Sequence, residues 1–144
     1  IITSLNTFEH IYRVKELIKD CYRVTKKNGV LIGSTPFQLC VHQEPFDYFR
    51  YTQFALKKMM EEAGYVDIVI TSLGTHEQLL KQTLNHYFSS LEGSLRRKSR
   101  IHRITLRVFW KLHTVLNKLT QRAFGNLAYS DKHTLGYGFT ARKA

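Results

Sequence analysis

The sequence has 144 residues, 43% of them hydrophobic, and a formal net charge of +11. A chain of this size is one domain's worth or less, with enough apolar material for a core and no run of about 18 uncharged apolar residues to cross a bilayer. Two cysteines, Cys21 and Cys40, are too few for a disulfide scaffold and suit a reducing compartment, and no signal-peptide pattern opens the chain.

Residues 1–5 (IITSL) form a short β-prone run. From 11 to 27 the apolar Ile11, Val14, Ile18 and Cys21 recur at helical spacing, which predicts a helix ended by Asn28-Gly29. Cys21, on that stripe, reads as core filler. Val30–Ile32 is a second, buried strand. Thr52 is placed to cap a helix reaching Ala63, with Phe54 or Ala55, Met59 and Ala63 facing inward, and Gly64 stops it. YVDIVITSL (65–73) is a third strand. Residues 76–124 read as helical in two or more pieces, with Ile101, Ile104, Val108, Leu112, Val115 and Leu119 on one face. In the last strand Leu135, Tyr137, Phe139 and Ala141 alternate.

The order β-α-β-α-β-(α insertion)-β predicts a largely parallel sheet covered by helices. A strand that starts at residue 1 points to part of a larger α/β domain, with a long edge lacking its partner and open to association. The charge is concentrated. Arg96, Arg97, Lys98, Arg100, Arg103, Arg107, Lys111, Lys118 and Arg122 fall between Ser94 and Phe124 with no acid among them. A basic helix with an apolar face that includes Phe109 and Trp110 resembles an interfacial membrane helix, or a lid with a solvated basic side. RNA binding fits the charge but lacks a recognisable module.

The stretch HQEPFDYFRYT (42–52) packs a histidine, two acids, an arginine and four aromatics into a strand-to-helix connection, where 2–6 plainer residues are usual. After a parallel strand such a loop lies at the carboxyl edge of the sheet. His42 there is a candidate general base. Phe37, Phe46, Tyr48, Phe49 and Tyr51 could wall an acceptor, and Arg50 could anchor an acceptor's carboxylate or phosphate. The structural alternative is that Asp47 and Arg50 pair to fix the loop, Pro36 and Pro45 stiffen it, and the aromatics cover the sheet edge.

SLNTFEHIYRVKELIKDCYRVTKKNGVLIGSTPF resembles the second half of class I S-adenosylmethionine-dependent methyltransferases. There a fourth strand leads through a "LEH" turn and a helix ending "R-V-L-K-P-G-G" to a fifth strand. Phe8-Glu9-His10 and Arg23-Val24-Thr25-Lys26-Lys27-Asn28-Gly29 stand at those places. PFQLCVHQEPFDYFRYT resembles a subgroup whose loop reads roughly P-F-x-x-x-x-H-x-x-P-x-D-Y-x-R-Y-T, and LGYGFTARK its last strand. The resemblance covers residues 1–73 and 134–143.

It implies the C-terminal half of a Rossmann-like seven-stranded sheet with an antiparallel last strand, residues 1–144 being a partial domain and 76–124 a helical basic insertion or lid. The glycine-rich loop and the acid that hold S-adenosyl-L-methionine in the family are not in this sequence. Gly136 and Gly138 lie within the terminal strand and make no cofactor loop. The N-terminal cofactor-binding half is thus absent, and this chain alone should bind the cofactor poorly. By the same resemblance the turn Ser4, Leu5 and Asn6 faces the cofactor, with Asn6 or Thr7 capping in the structural alternative. His10, Phe37, His42, Asp47, Tyr48, Arg50 and Tyr51 line the acceptor side, and His42 is catalytic. Some quinone-directed members carry E-x-x-E-H and hold a divalent metal with it. Here Asn6 replaces one carboxylate, offering oxygen without charge, so a structural Glu9-His10 turn and no metal is expected.

The expected whole is a cytoplasmic, membrane-peripheral methyltransferase acting on a small or lipid-linked acceptor, most simply at oxygen. The competing expectation is a non-catalytic methyltransferase-like module that docks on anionic membrane or RNA.

Overall fold

The computed structural model describes residues 1–95, 100–124 and 133–144. Two compact units divide the chain: 1–74 with 134–144, and 75–133.

The first unit is a four-stranded sheet with two helices. Its strands are β1 (Ile2–Leu5), β2 (Val30–Pro36), β3 (Tyr65–Leu73) and β4 (Gly136–Lys143), in the spatial order β1-β2-β4-β3. β1 and β2 are parallel, and β4 runs antiparallel to both β2 and β3. Three strands therefore point one way, and the reversed last strand is inserted between two of them. The sheet is mixed rather than largely parallel, in keeping with the antiparallel last strand that the resemblance implies.

Helices α1 (Val14–Val24) and α2 (Gln53–Ala63) pack on one face. The core they share with the sheet holds Val14 and Ile18 of α1 and Leu56, Met59 and Met60 of α2, against Leu31, Tyr65, Tyr137, Phe139 and Ala141. Phe8, buried completely, stacks on Phe139 at 5.2 Å between centroids. On the opposite face the cross-strand row Thr3, Ile32, Thr140 and Val69 is exposed. The alternation of the strands is the cause: Leu31, Gly33 and Thr35 point to the helices, and Ile32 points away.

The α2 boundaries follow from local chemistry. Thr52 accepts from the Ala55 amide at 3.2 Å, and Gly64 closes the helix at φ 103°, a left-handed conformation that suits glycine. Of Phe54 and Ala55 it is Ala55 that turns inward, and with Met59 and Ala63 it packs on the core. Leu56, Met59 and Met60 are buried, whereas Phe54, two residues before Leu56 and so on the other side of the helix, is 75% exposed.

α1 is shorter at both ends than its apolar stripe suggests. Phe8–His10 forms a separate 3-10 turn, Ile11 is extended, and the helix begins after Arg13. It ends at Val24 because the Thr25 hydroxyl bonds the Cys21 carbonyl at 2.7 Å while the Thr25 backbone turns extended. Asn28, at φ 61°, instead shapes the turn into β2, with its amide on Lys143 O at 2.9 Å.

The second unit is a helical pair, α3 (His76–Leu95) and α4 (Arg100–Phe124). Thr75 and Gln78 exchange side-chain-to-backbone bonds of 3.0 and 3.2 Å, a capping box that starts α3. Phe88 of α3 meets Phe109, Trp110 and His113 of α4. Trp110 thus faces α3, not the middle of the exposed apolar stripe. Ile104, Val108, Leu112, Val115, Leu116 and Leu119 are each more than half exposed. Arg107, Lys111, Lys118 and Arg122 are exposed as well. Arg96, Arg97 and Lys98, and the side chains of Arg100, Ile101 and Arg103, lie outside the described residues. Among the described residues no helix is long and apolar enough to cross a membrane.

Candidate functional site at the carboxyl rim of the sheet

Because β1 and β2 are parallel, their carboxyl ends, Leu5 and Pro36, open on the same rim. Two connections leave from it: residues 6–13, with the Phe8–His10 turn, and the long loop 37–52. They are laced together. The Tyr48 and Phe49 amides donate to the Glu9 carbonyl at 2.9 and 3.3 Å, and His10 Nδ1 lies 2.7 Å from Phe46 O. The opening of the chain and the loop that follows β2 therefore build one wall.

Asp47 and Arg50 hold that loop in shape. Arg50 Nη1 meets Asp47 Oδ1 at 2.6 Å, and Nη2 meets Oδ2 at 2.7 Å. The remaining guanidinium donors go to the carbonyls of Leu39, Cys40 and Phe49. Arg50 is spent inside the loop, so the structural alternative accounts for it and an acceptor anchor does not. Asp47 also accepts from the His42 amide at 2.9 Å. The Arg50 hydrogen bonds hold its carboxyl well below the usual carboxylate range, against the opposing effect of burial, and the bond from Asp47 in turn raises Arg50.

Glu9, His10 and His42 come together next to this clamp. The Glu9 side chain is wholly buried. Its Oε2 accepts from the Thr35 hydroxyl at 3.5 Å, while Oε1 has no hydrogen-bond partner and lies 3.6 Å from His10 Nε2. That nitrogen is buried and without a hydrogen-bond partner too. The His10 and His42 rings meet edge to face at 4.9 Å. Sequence reasoning gave Glu9 only a structural part. Its adjacency to His10 was visible, but its burial was not.

The expected pocket residues separate. Tyr51 is 8% exposed and belongs to the core; its hydroxyl donates to Phe8 O at 3.4 Å, and burial, with Glu9 nearby, pushes its pKa up to about 12. Phe37 packs on Tyr137 at 5.4 Å. Phe46 and Tyr48 are exposed. Tyr12, Tyr48 and Phe49 form an aromatic group, Tyr12 lying 5.5 Å from Tyr48 and 5.9 Å from Phe49. A hollow of about 370 Å³ is lined by Tyr12, Phe49, Tyr51 and Met59 with the first turn of α1. At the β1 end, Asn6 takes φ 47° and accepts from the Ser34 hydroxyl at 3.1 Å, while the Thr7 hydroxyl bonds Leu5 O. Thr7 stands at the N-cap of the Phe8–His10 turn and its carbonyl accepts from the His10 amide, but its side chain makes no capping bond. Leu5 is 69% exposed at the strand's end, and Ser4 is partly exposed beside it.

No protein-family model matches the sequence, and no curated protein matches it significantly. Solved structures do. Haemonchus contortus phosphoethanolamine N-methyltransferase 2, in complex with S-adenosyl-L-methionine, superposes with a TM-score of 0.51 at 19% identity, over 98% of this chain and 32% of that one. The chain has the class I methyltransferase fold. A SAM-dependent methyltransferase from Archaeoglobus fulgidus gives a TM-score of 0.52 at 14% identity, over 98% of this chain and 57% of that one. The chain thus spans between about a third and somewhat over half of these proteins.

Proposed function

We propose that this chain is the acceptor-side part of an S-adenosyl-L-methionine-dependent methyltransferase. The observation that carries the reading is the shared rim: the β1 turn, the Glu9-His10 pair and the 37–52 loop all leave from the carboxyl ends of parallel strands, where sheets of this kind take their ligands. Two neighbours by fold were solved with S-adenosyl-L-methionine or S-adenosylhomocysteine, the latter together with phosphomonomethylethanolamine.

Only one side of a cofactor site is present in these residues. Leu5 offers an exposed apolar surface at the end of β1, flanked by Ser4 and Asn6, and these three would border the cofactor. The cofactor supplies an electrophilic methyl on a sulfonium. The protein must align a nucleophile on it, take up the nucleophile's proton and keep water out. In this reading His42, its side chain 25% exposed beside Asp47, accepts that proton. His10, Phe37 and Tyr48 would border the acceptor, a small or lipid-linked molecule methylated at oxygen. Asp47, Arg50 and Tyr51 act by holding the loop.

Calorimetric titration of the full-length protein with S-adenosylhomocysteine tests this. Saturable binding supports it, and folded protein with no heat of binding overturns it.

A second reading has its own observation. The exposed apolar stripe of α4, flanked by cations, suits a helix lying in the interface of an anionic membrane, which would make the protein cytoplasmic and membrane-peripheral. It serves either an enzyme with a lipid-linked acceptor or a non-catalytic module. RNA is the less suited partner, since the exposed stripe is mostly aliphatic and Phe109 is the one well-exposed aromatic among the described residues of α4.

A further inference from the structure

The hollow of about 370 Å³ lies between the first turn of α1 and the end of the 37–52 loop. Val14, Phe49, Tyr51 and Met59 line it, with Tyr12 at its lip. Neither His10 nor His42 borders it, so a group held there is not the group that reacts.

Its walls are anchored apart. Val14, Tyr51 and Met59 are fixed in the core. The Tyr51 hydroxyl is spent on Phe8 O at 3.4 Å, and the Phe49 amide is tied to Glu9 O at 3.3 Å, in the loop that Asp47 and Arg50 clamp. Tyr12, 73% exposed, stands edge-on to Tyr48 at 5.5 Å instead of folding down between the walls. Apolar side chains ordinarily close a gap of this size. Here their anchors prevent it.

The chemistry of the wall selects the occupant. The wall is almost wholly apolar. The charged residues of the first α1 turn give it their stems, because Arg13 pairs with Glu16 and Lys15 with Glu62, at 3.2 Å each. A charged group would lose water there without gaining a counter-charge. The Tyr12, Phe49 and Tyr51 rings follow one another at 5.9 and 5.6 Å, tilted by only 30° and 35°. Such ring faces favour a further flat ring in offset contact, and the Met59 thioether favours one too. The size agrees. A closed cavity of roughly 150 Å³ takes up benzene, so this larger, open hollow has room for a ring with substituents.

We propose that the hollow is a binding site for a neutral aromatic ring carried by a small molecule. Its concave, ring-sized shape fits such a ligand rather than an extended protein surface. The site lies next to the reacting rim, stands on these side chains alone and does not depend on the methyl-transfer reading.

The test is a ligand-observed nuclear magnetic resonance titration of the full-length protein with para-cresol, a phenol that is neutral at about pH 7. Methylcyclohexanol, its saturated counterpart, is titrated in parallel. One site for para-cresol is expected, with Kd of about 1 mM or tighter, as suits so small a ligand. The saturated ring should bind at least ~3-fold more weakly. Tyr12→Ala, at an exposed ring, and Phe49→Leu, which keeps apolar bulk, should each weaken para-cresol at least ~3-fold with the fold intact by circular dichroism. Tyr12→Phe should bind like wild type. Phe54→Ala removes an exposed ring that does not line the hollow and should change nothing. Binding unchanged in both Tyr12→Ala and Phe49→Leu, binding lost in Phe54→Ala, or equal affinity for the saturated ring would overturn the proposal. So would folded wild-type protein that takes up no para-cresol at ~10 mM. S-adenosylhomocysteine binding is measured apart by calorimetry, and either site can fail without the other.

Discussion

Asp47 and Arg50, three residues apart in the loop after β2, are joined by two short parallel bonds of 2.6 and 2.7 Å, with Asp47 almost fully buried. The geometry is the planar, bidentate one that guanidinium and carboxylate favour. It fixes the loop that carries His42, whose own amide is bound by Asp47. Asp47→Asn leaves the half-buried Arg50 guanidinium without its counter-charge and should cost about 1–3 kcal/mol, less than breaking a fully buried pair because Arg50 stays partly solvated. Arg50→Lys, which lacks the fork, should lose most of the same stability. Urea unfolding followed by near-ultraviolet and far-ultraviolet circular dichroism measures both. Losses under about 1 kcal/mol would mean that the pair is incidental to the fold.

The pair also predicts a direction with pH. The folded-state pKa of Asp47 is lowered, chiefly by the Arg50 hydrogen bonds. The stabilisation is therefore complete above the unfolded value, about 3.9, and is lost as pH falls below it toward the folded value. Wild-type stability should drop steeply below about pH 4, and the drop should be shallower in Asp47→Asn. Equal acid slopes in the two proteins would refute this.

Two glycines separate a packing demand from a conformational one. A Cβ on Gly33 would stand 2.2 Å from Ser4 O and 2.4 Å from the Phe139 ring, with strand backbone on one side and core on the other. Gly33→Ala should destabilise by about 3 kcal/mol or more, since overpacking at a buried sheet position has no easy relief. Gly64 is required for its φ of 103°, and the nearest atoms to an added Cβ would be those of the Tyr22 side chain, at 3.0 Å or more. Gly64→Ala should cost about 1–2 kcal/mol. Thermal melts of the two variants should rank in that order.

The parts of this structure legible in the sequence are those settled by neighbouring residues. Thr52 and Gly64 bound α2 through their own hydroxyl and backbone freedom, and β3 covers the range read for it, Tyr65–Leu73, with its alternation broken only at Val66-Asp67 where the register shifts. The C-terminal end of α1 comes before Asn28-Gly29 because Thr25 turns extended and its hydroxyl takes the Cys21 carbonyl. The choice between Phe54 and Ala55, and the burial of Leu56 and Met60, depend on which face of α2 meets the sheet, and that is not local information. The same holds at the rim. The motif placed His10 and His42 near the acceptor, but only the fold brings their rings edge to face and buries Glu9 behind them. Arg50 is left open by the sequence, as an acceptor anchor or as the partner of Asp47. Its saturation is set by the carbonyls of Leu39, Cys40 and Phe49, whose directions no pattern of side chains encodes.

The α4 stripe gives a prediction about membranes. Leu112 and Val115 are 63% and 54% exposed, beside Arg107, Lys111 and Lys118. Burying a side chain of this kind is worth about 1.5–3 kcal/mol, so placing charge at both should remove well over tenfold in partitioning. Leu112→Glu with Val115→Glu should abolish co-sedimentation with vesicles containing phosphatidylserine, while neutral vesicles should bind wild type weakly. Sedimentation that ignores anionic lipid, or that survives the double substitution, would dismiss the membrane reading of α4.

Tyr51 supplies the alkaline counterpart of Asp47. Burial, with Glu9 nearby, raises its pKa from 10 to about 12. A phenol whose folded pKa lies above its unfolded value contributes stability that is present below the unfolded value and is lost as pH rises through the folded one. Between about pH 10 and pH 12 the protein should therefore lose stability as the unfolded chain, but not the folded one, ionises at this residue, by about 2–3 kcal/mol at most. Tyr51→Phe removes the ionisation and the 3.4 Å bond to Phe8 O together. At pH 7 it should cost about 0.5–1 kcal/mol, the worth of a neutral hydrogen bond of this length. Above pH 10 the variant should lose less with rising pH than wild type, so that the two stability curves converge. Tyr65, also raised by burial, keeps its contribution in both proteins, and the comparison isolates Tyr51. Curves that stay parallel through pH 12 would show that the Tyr51 ring titrates alike in the folded and unfolded chain.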